Sequence, residues 1–221
     1  MVHLRAADVI AKKYGLSGKA YDDFIIGNIA PDSGRMNADG LSYTPPKTVT
    51  HFKTSEDGVV DPYRFDSEQM KTADADNFFF RLGYLSHLLT DRLWAQEVYY
   101  PTKRRFGGSF STTLDYVTAV KHDWYDLDRL FVHDFPDFAP LAVLSEYTDF
   151  NERMIDFVPT ELVRETICRI VSFYSEPYSR DEDDPYIYMT PEQMTDFVAS
   201  ATECVIDYCR DYLESANAIS V

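Results

Sequence analysis

Two histidine–aspartate pairs are the residues whose types and spacing point most directly to chemistry. His87 and Asp91 lie four residues apart, and His122 and Asp126 repeat that spacing. On a helix, side chains four residues apart leave the same face, so each pair presents an imidazole beside a carboxylate. Both groups bind divalent metals, and facing helices are a common way to build two-metal sites. The alternatives are a His–Asp hydrogen bond in the core for the first pair and a solvated polar face for the second.

Three further residues could complete such a site. His3 lies at the start of the first helical stripe, Asp32 ends an Ala-Pro-Asp turn, and His51 sits in an irregular stretch. Each is weak evidence when taken singly, because histidines in loops and aspartates in turns are usually only polar. Their significance comes from their order along the chain.

Taken in order, these motifs resemble the zinc-dependent phospholipase C family, whose all-α fold is shared with single-strand nucleases. The resemblance spans about the first 130 residues. It rests on His3-Leu4, Asn28-Ile29-Ala30-Pro31-Asp32, Thr50-His51-Phe52, Gly83-Tyr84-Leu85-Ser86-His87 with Asp91, and His122 with Asp126. The Gly-Tyr-Leu-Ser-His-x-x-x-Asp run and the Ala-Pro-Asp turn are its more specific parts.

The resemblance implies a set of zinc ligands. Asp32, His51, His87 and Asp91 would hold one zinc ion, and His3 would share a second with Asp91. The implied activity is hydrolysis of a phosphate ester, with bound metal lowering the pKa of a water molecule to about 7. Asp32 would be the catalytic residue that orients or deprotonates this water. The expected substrate is a small phosphate ester or a phospholipid headgroup.

The chain departs from the family pattern at two points. His122 and Asp126 match the later His-x-x-x-acid pair, but no histidine lies between Asp91 and His122 to complete the family's third site. The secreted members also use an N-terminal tryptophan, and this sequence begins Met-Val-His. Two zinc ions are therefore expected, and the third site lacks a ligand.

The charge balance bears on possible partners. The 221 residues include 21 Lys+Arg and 37 Asp+Glu, for a net charge of −16. This balance argues against duplex nucleic acid as a partner, because no basic surplus exists to displace counterions. Bound divalent metals would reverse the sign of the field locally and admit a phosphate.

Targeting and redox signals are sparse. No apolar run approaches the ~20 residues of a membrane helix, which predicts no stable membrane insertion. The first residues lack the order of a signal peptide, which predicts a cytoplasmic protein. Cys168, Cys204 and Cys209 are an odd, sparse set, and they are expected to be reduced thiols in the core. The oligomeric state is not readable from the sequence.

Helical periodicity runs through nearly the whole chain and predicts how these residues are positioned. We expect one all-α domain over 1–221, a multi-helix bundle resembling the phospholipase C fold, with a long irregular segment at about 28–72. Gly15 should stop the first helix, and Thr190-Pro191-Glu192-Gln193 should open the last with a capping box. The predicted helices between these ends cover 74–99, 112–133, 138–147 and 160–174.

Two other functions compete with the phosphodiesterase hypothesis. The doublets His122-Asp123 and His133-Asp134, with His87 as a partner, would also suit an HD-type nucleotide phosphohydrolase. A third possibility is a helical metal-binding module without turnover, which the missing third-site histidine favours.

Overall fold

The computed structural model describes residues 1–38, 42–55, 58–180 and 184–219, and within them the fold is all-α, as the sequence predicts. Two short strands, β1 (Arg35–Met36) and β2 (Tyr43–Thr44), pair antiparallel. The helices are α1 (Val2–Lys13), α2 (Lys19–Gly27), α3 (Lys47–Thr50), α4 (Pro62–Gln69), α5 (Phe78–Trp94), α6 (Tyr100–Phe106), α7 (Thr113–Asp134), α8 (Ala139–Glu146), α9 (Thr160–Ser175) and α10 (Pro191–Ile219).

Local capping chemistry sets several helix ends where the sequence predicts them. Gly15 takes a φ of 66° just after α1, the left-handed conformation that glycine adopts readily. At the start of α10, the backbone N–H of Gln193 donates to Thr190 Oγ1 and the N–H of Thr190 donates to Gln193 Oε1. These reciprocal bonds are the predicted capping box.

The predicted helix over 74–99 differs from the observed one at both ends. The Asp74 carboxylate accepts the backbone N–H groups of Asp76 and Asn77, and this local turn delays the start of α5 to Phe78. At the other end, α5 continues through a π-helical turn, Ala95–Tyr99, into α6. Pro101 explains that turn, because it lacks an N–H and its ring displaces the carbonyl four residues earlier.

The segment at 28–72 is less irregular than predicted. Besides β1 and β2, it contains a 3-10 turn at Ala30–Asp32, the short helix α3 and the two-turn helix α4. The prediction missed α4 although its start is encoded locally: Asp61 accepts the backbone N–H of Arg64, and Pro62 occupies the first helical position.

Helices α2 and α5 cross with their backbones in close contact. A Cβ added at Gly27 would lie 2.1 Å from the Phe80 carbonyl oxygen, and one at Gly83 would lie 2.2 Å from the Phe24 carbonyl oxygen. Only glycine fits at either position. The Gly83 of the Gly-Tyr-Leu-Ser-His run therefore sets the distance between α5, which carries His87 and Asp91, and α2, which precedes the turn with Asp32.

The core is apolar and lies around α5, whose residues from Phe80 to Thr90 are buried with the exception of Arg81. A second, smaller apolar cluster joins α7 and α10 near Trp94 and Trp124. Among the described residues, no helix has the length and apolar character needed to cross a membrane. The expectation that the cysteines are core thiols holds for Cys209 alone, since Cys168 and Cys204 are exposed.

Candidate metal centre

Four side chains that are distant in sequence meet at one point beside α5. Nε2 of His51 lies 3.3 Å from Asp32 Oδ1 and 3.2 Å from Asp91 Oδ2. Nε2 of His87 lies 3.6 Å from Asp91 Oδ2 and 3.9 Å from Asp32 Oδ2. The 3-10 turn, the end of α3 and helix α5 supply these residues.

The spacing of these atoms is close to that of ligand atoms around one tetrahedral ion, and three of the four residues, Asp32, His51 and His87, form one group of potential ligands. Zinc bonds to nitrogen and oxygen of ~2.0–2.2 Å place the ligand atoms of a tetrahedron about 3.3–3.6 Å apart. The observed separations of 3.2 to 3.9 Å lie within a few tenths of an ångström of that value. Two imidazoles and two carboxylates are also a donor set that zinc accepts.

The hydrogen bonding of the histidines supports a cation at this point. The Nδ1–H of His87 donates to the Asn28 carbonyl at 2.7 Å, which leaves Nε2 as the free nitrogen of the neutral ring. Among the described residues, the buried Nε2 atoms of His51 and His87 have no hydrogen-bond partner. A lone pair aimed at two carboxylates is unfavourable unless a cation, either a metal ion or a proton on the ring, lies between them.

Neighbouring residues fix the orientation of these ligands. Tyr84, on α5, donates its phenol O–H to the Thr50 carbonyl at 2.5 Å, which ties α3 to the helix that carries His87. The Thr50 hydroxyl lies 2.9 Å from His51 Nδ1. Phe52 then takes a φ of 52° and turns its ring into the core against Phe65. Such outer contacts hold ligand rings in the orientation that metal binding requires.

His3 extends the cluster from α1. Its ring stacks on that of His87 with centroids 3.8 Å apart, and its Nε2 lies 3.2 Å from Asp91 Oδ1. The two oxygens of Asp91 thus face different histidines, Oδ1 towards His3 and Oδ2 towards His51 and His87. His3, His87 and Asp91 form one group that could hold a metal, and Asp32, His51 and His87 form another.

The electrostatics of the cluster keep its carboxylates ionised. Burial alone would raise the pKa of Asp32, but Lys47 at 3.0 Å and the nearby His51 hold it well below its usual value. Burial opposes ionisation of Asp91 as well, and His87 and His3 lower its pKa in the same way. Burial and the proximity of His87 lower the pKa of His3 to about 4. At neutral pH, His3 therefore offers an uncharged ring and both aspartates offer full charges.

The second predicted pair does not join this cluster. The His122 side chain is 66% exposed and lies 3.8 Å from Asp123. Asp126 instead accepts the O–H groups of Tyr178 and Tyr186 and pairs with Arg180. Helix α7 is rotated so that these two residues lie outside the groups of potential ligands.

The doublets of the HD-type hypothesis are also apart from the cluster. The buried Asp123 carboxylate accepts the backbone N–H groups of Ile187 and Tyr188 at 2.8 and 2.6 Å, so it holds the segment before α10. His133 is exposed and pairs with Asp134 at 3.1 Å. These contacts disfavour either doublet as a ligand pair with His87.

The sequence analysis did not identify Asp128, which lies on the face of α7 that is turned towards the site. Its Oδ2 lies 3.2 Å from the amino group of Met1 and accepts the O–H of Tyr174 at 3.2 Å. Its Oδ1 is buried without a partner among the described residues. The available signal was the spacing of Lys121, Trp124 and Asp128, which share one helix face.

A cavity of about 580 Å³ opens over the cluster. Its walls come from α1, α3, α5, α7 and α9, and they include His3, Asp32, His87 and Asp91. A volume of this size is typical of sites for small molecules.

The fold and the cluster together define an all-α protein with His and Asp groups that could hold a metal. No protein-family model, curated protein or solved structure matches the chain. The geometry of the cluster and its cavity is therefore the basis on which a function can be argued.

Proposed function

We propose that the protein is a zinc-dependent hydrolase of phosphate esters, a phosphodiesterase of the phospholipase C kind. One observation carries this proposal: two unpartnered, buried histidine Nε2 atoms converge with Asp32 and Asp91 at metal-ligand spacing. The cluster lies on the wall of a cavity large enough for a small substrate.

The ligand assignment follows the resemblance, and the distances place Asp32, His51 and His87 in one group and His3, His87 and Asp91 in another. Asp32, His51, His87 and Asp91 would hold one ion, and His3 with the second oxygen of Asp91 would contribute to another. When bound, such ions polarise a phosphoryl oxygen and lower the pKa of a water molecule to about 7. The protein residues hold the ions, orient the substrate and shield the site.

Lys47 would stabilise negative charge that develops on the phosphate. It lines the cavity, and its ammonium lies 3.0 Å from Asp32 Oδ1. Burial opposes the charged form, but Asp32 and Asp91 raise the pKa of Lys47 above its usual value. Lys47 therefore stays protonated and acts as a fixed charge rather than as a proton donor.

Asp32 would orient a water molecule rather than remove its proton. Its pKa is held well below the usual value, so the carboxylate is a weak base. It remains a strong hydrogen-bond acceptor, and it is the most exposed of the four residues of the first site.

Elemental analysis of the purified protein, paired with hydrolysis of bis(p-nitrophenyl) phosphate, tests the proposal. We expect about two equivalents of zinc, no zinc in H87A/D91A, and turnover that disappears with the metal. His122→Ala is the matched control, because its exposed ring lies outside the cluster and the variant should keep zinc and activity.

Each other outcome has a distinct meaning. Absence of metal after zinc is added back would refute the metal site and leave the His–Asp contacts as core hydrogen bonds. Bound zinc without turnover on any phosphodiester would refute the hydrolase and favour a metal-binding module.

A further inference from the structure

The cavity continues beyond the metal cluster to a wall formed by α7 and α9. This wall combines aromatic rings with two cations. Its charged lining residues are Lys121, Arg169 and Asp128, and its aromatic ones are Trp124, Tyr125, Phe173 and Tyr174. Because the chain carries a net charge of −16, a cationic wall beside the site is a local reversal of the overall charge.

Neither cation of the wall pairs with an acidic side chain in the part of the chain that the structure describes. Within the described ranges, Lys121 and Arg169 have no carboxylate oxygen within 4.0 Å. The Arg169 guanidinium donates one long bond, 3.4 Å, to Thr166 Oγ1. The Lys121 ammonium lies 5.8 Å from the centroid of the Tyr125 ring. Most of their donor capacity is therefore free for a ligand.

The acids that line the same cavity are already committed. Asp32 pairs with Lys47, and Asp91 lies between His3 and the other ligands. Asp128 is paired with the amino group of Met1. Among the described charged residues that line the α7–α9 wall, Lys121 and Arg169 are thus the ones without an ionic partner.

We propose that the substrate carries a second anionic group, which binds Lys121 and Arg169 while its phosphate occupies the metal cluster. This inference rests on the proposed function, because it assigns a substrate class to the same site. The aromatic rings of the wall cover the apolar part of the molecule. A cationic headgroup such as choline is disfavoured, since it would be placed beside two unneutralised cations.

Three esters with one leaving group differ in the charge of the second group. The p-nitrophenyl phosphodiesters of ethanol, choline and glycolic acid place a neutral, a cationic and an anionic group at the same position. We expect kcat/KM to be highest for the glycolate ester and lowest for the choline ester. K121Q and R169Q should each lower kcat/KM for the glycolate ester about tenfold more than for the ethyl ester, as expected for loss of a charged hydrogen bond.

A binding measurement keeps the inference testable if turnover is absent. Calorimetry of the zinc-loaded protein with glycolate ester and with choline ester should show tighter binding of the former, and K121Q should remove the difference. Lys13→Gln, an exposed cation at the end of α1 and outside the cavity, is the control and should change neither assay. Zinc content should remain full in all three variants.

The outcomes separate this inference from the proposed function. Preferred hydrolysis or binding of the choline ester, or an equal loss for all esters in K121Q and R169Q, would overturn the inference. Absence of turnover together with tighter, Lys121-dependent binding of the glycolate ester would refute the hydrolase and leave the anion site standing.

Discussion

Replacing Asp123 by alanine should weaken the fold without removing bound zinc. The Asp123 carboxylate is 3% exposed and accepts the backbone N–H groups of Ile187 and Tyr188 at 2.8 and 2.6 Å. A third contact, to the N–H of Met189, is long at 3.4 Å. The carboxylate thus holds the segment before α10 against α7, and it does not line the cavity over the cluster of His and Asp residues.

The magnitude follows from the two short bonds. Hydrogen bonds to a charged group contribute about 1.5–3 kcal/mol each, so their sum is about 3–6 kcal/mol. Ile187 is exposed, so water can replace part of the loss, and we expect the free energy of unfolding to fall by about 2–4 kcal/mol. With a typical slope for urea, this lowers the midpoint of unfolding by about 1 M.

The assay is urea unfolding followed by circular dichroism, with zinc content measured on the same preparations. D123N retains an acceptor oxygen and should lose less stability than D123A. Asp149→Ala, in an exposed loop, should change neither quantity. A D123A protein that keeps its stability but loses zinc would refute this account and restore the His-Asp doublet as a ligand pair.

Three further predictions concern the helix crossing and the histidines. Gly83→Ala should lower the free energy of unfolding by about 3 kcal/mol, because the new Cβ would lie 2.2 Å from the Phe24 carbonyl oxygen. The loss should be measured as a lower Tm, and an unchanged Tm would contradict the close crossing of α2 and α5. In the zinc-free protein, burial and His87 lower the pKa of His3 from 6.5 to about 4. The free energy of unfolding should therefore be highest above pH 6.5 and decrease by about 3 kcal/mol between pH 6.5 and 4, because only the unfolded state binds the proton in this range. Urea unfolding of His3→Asn should lack this dependence, and an identical slope in both proteins would exclude His3 as its source. Burial lowers the pKa of His87, but Asp91 and Asp32 outweigh this effect and raise it above its usual value. Zinc binding must therefore displace a proton, and the apparent affinity for zinc should rise by up to about tenfold per pH unit until the pH exceeds that pKa. Chelator competition from pH 6 to 8 measures this rise, and a flat profile would exclude a protonated His87.

The parts of the fold that local chemistry encodes could be predicted from the sequence. The stop at Gly15 and the capping box at Thr190 depend on residues within a few positions, and both are present. The start of α4 was equally local and could have been predicted from Asp61 and Pro62. The shift of α5 to Phe78 depends on a competing turn at Asp74, which periodicity alone does not reveal.

The candidate site was predictable only where its geometry follows from one helix or one motif. The four-residue spacing of His87 and Asp91 predicts that their side chains lie on one face of a helix, and on α5 they do. The sequence could not show which face of α7 is turned towards the site, because His122 with Asp126 and Lys121 with Asp128 both have helical spacing. The choice depends on partners far along the chain, such as Tyr174 for Asp128, and these contacts exist only after folding.

The close crossing of α2 and α5 has a consequence for anyone who would move this site to another scaffold. Asn28, which supplies the carbonyl for His87 Nδ1, follows Gly27, and His87 lies one turn beyond Gly83. The position of the His87 imidazole therefore depends on the close contact between the backbones of α2 and α5. A graft that copied the candidate ligands but not the two glycines would separate the helices and lose the hydrogen bond from His87 Nδ1–H to the Asn28 carbonyl. In a saturation mutagenesis survey, both glycines should tolerate substitution as poorly as the candidate ligands do, although neither glycine offers a ligand atom.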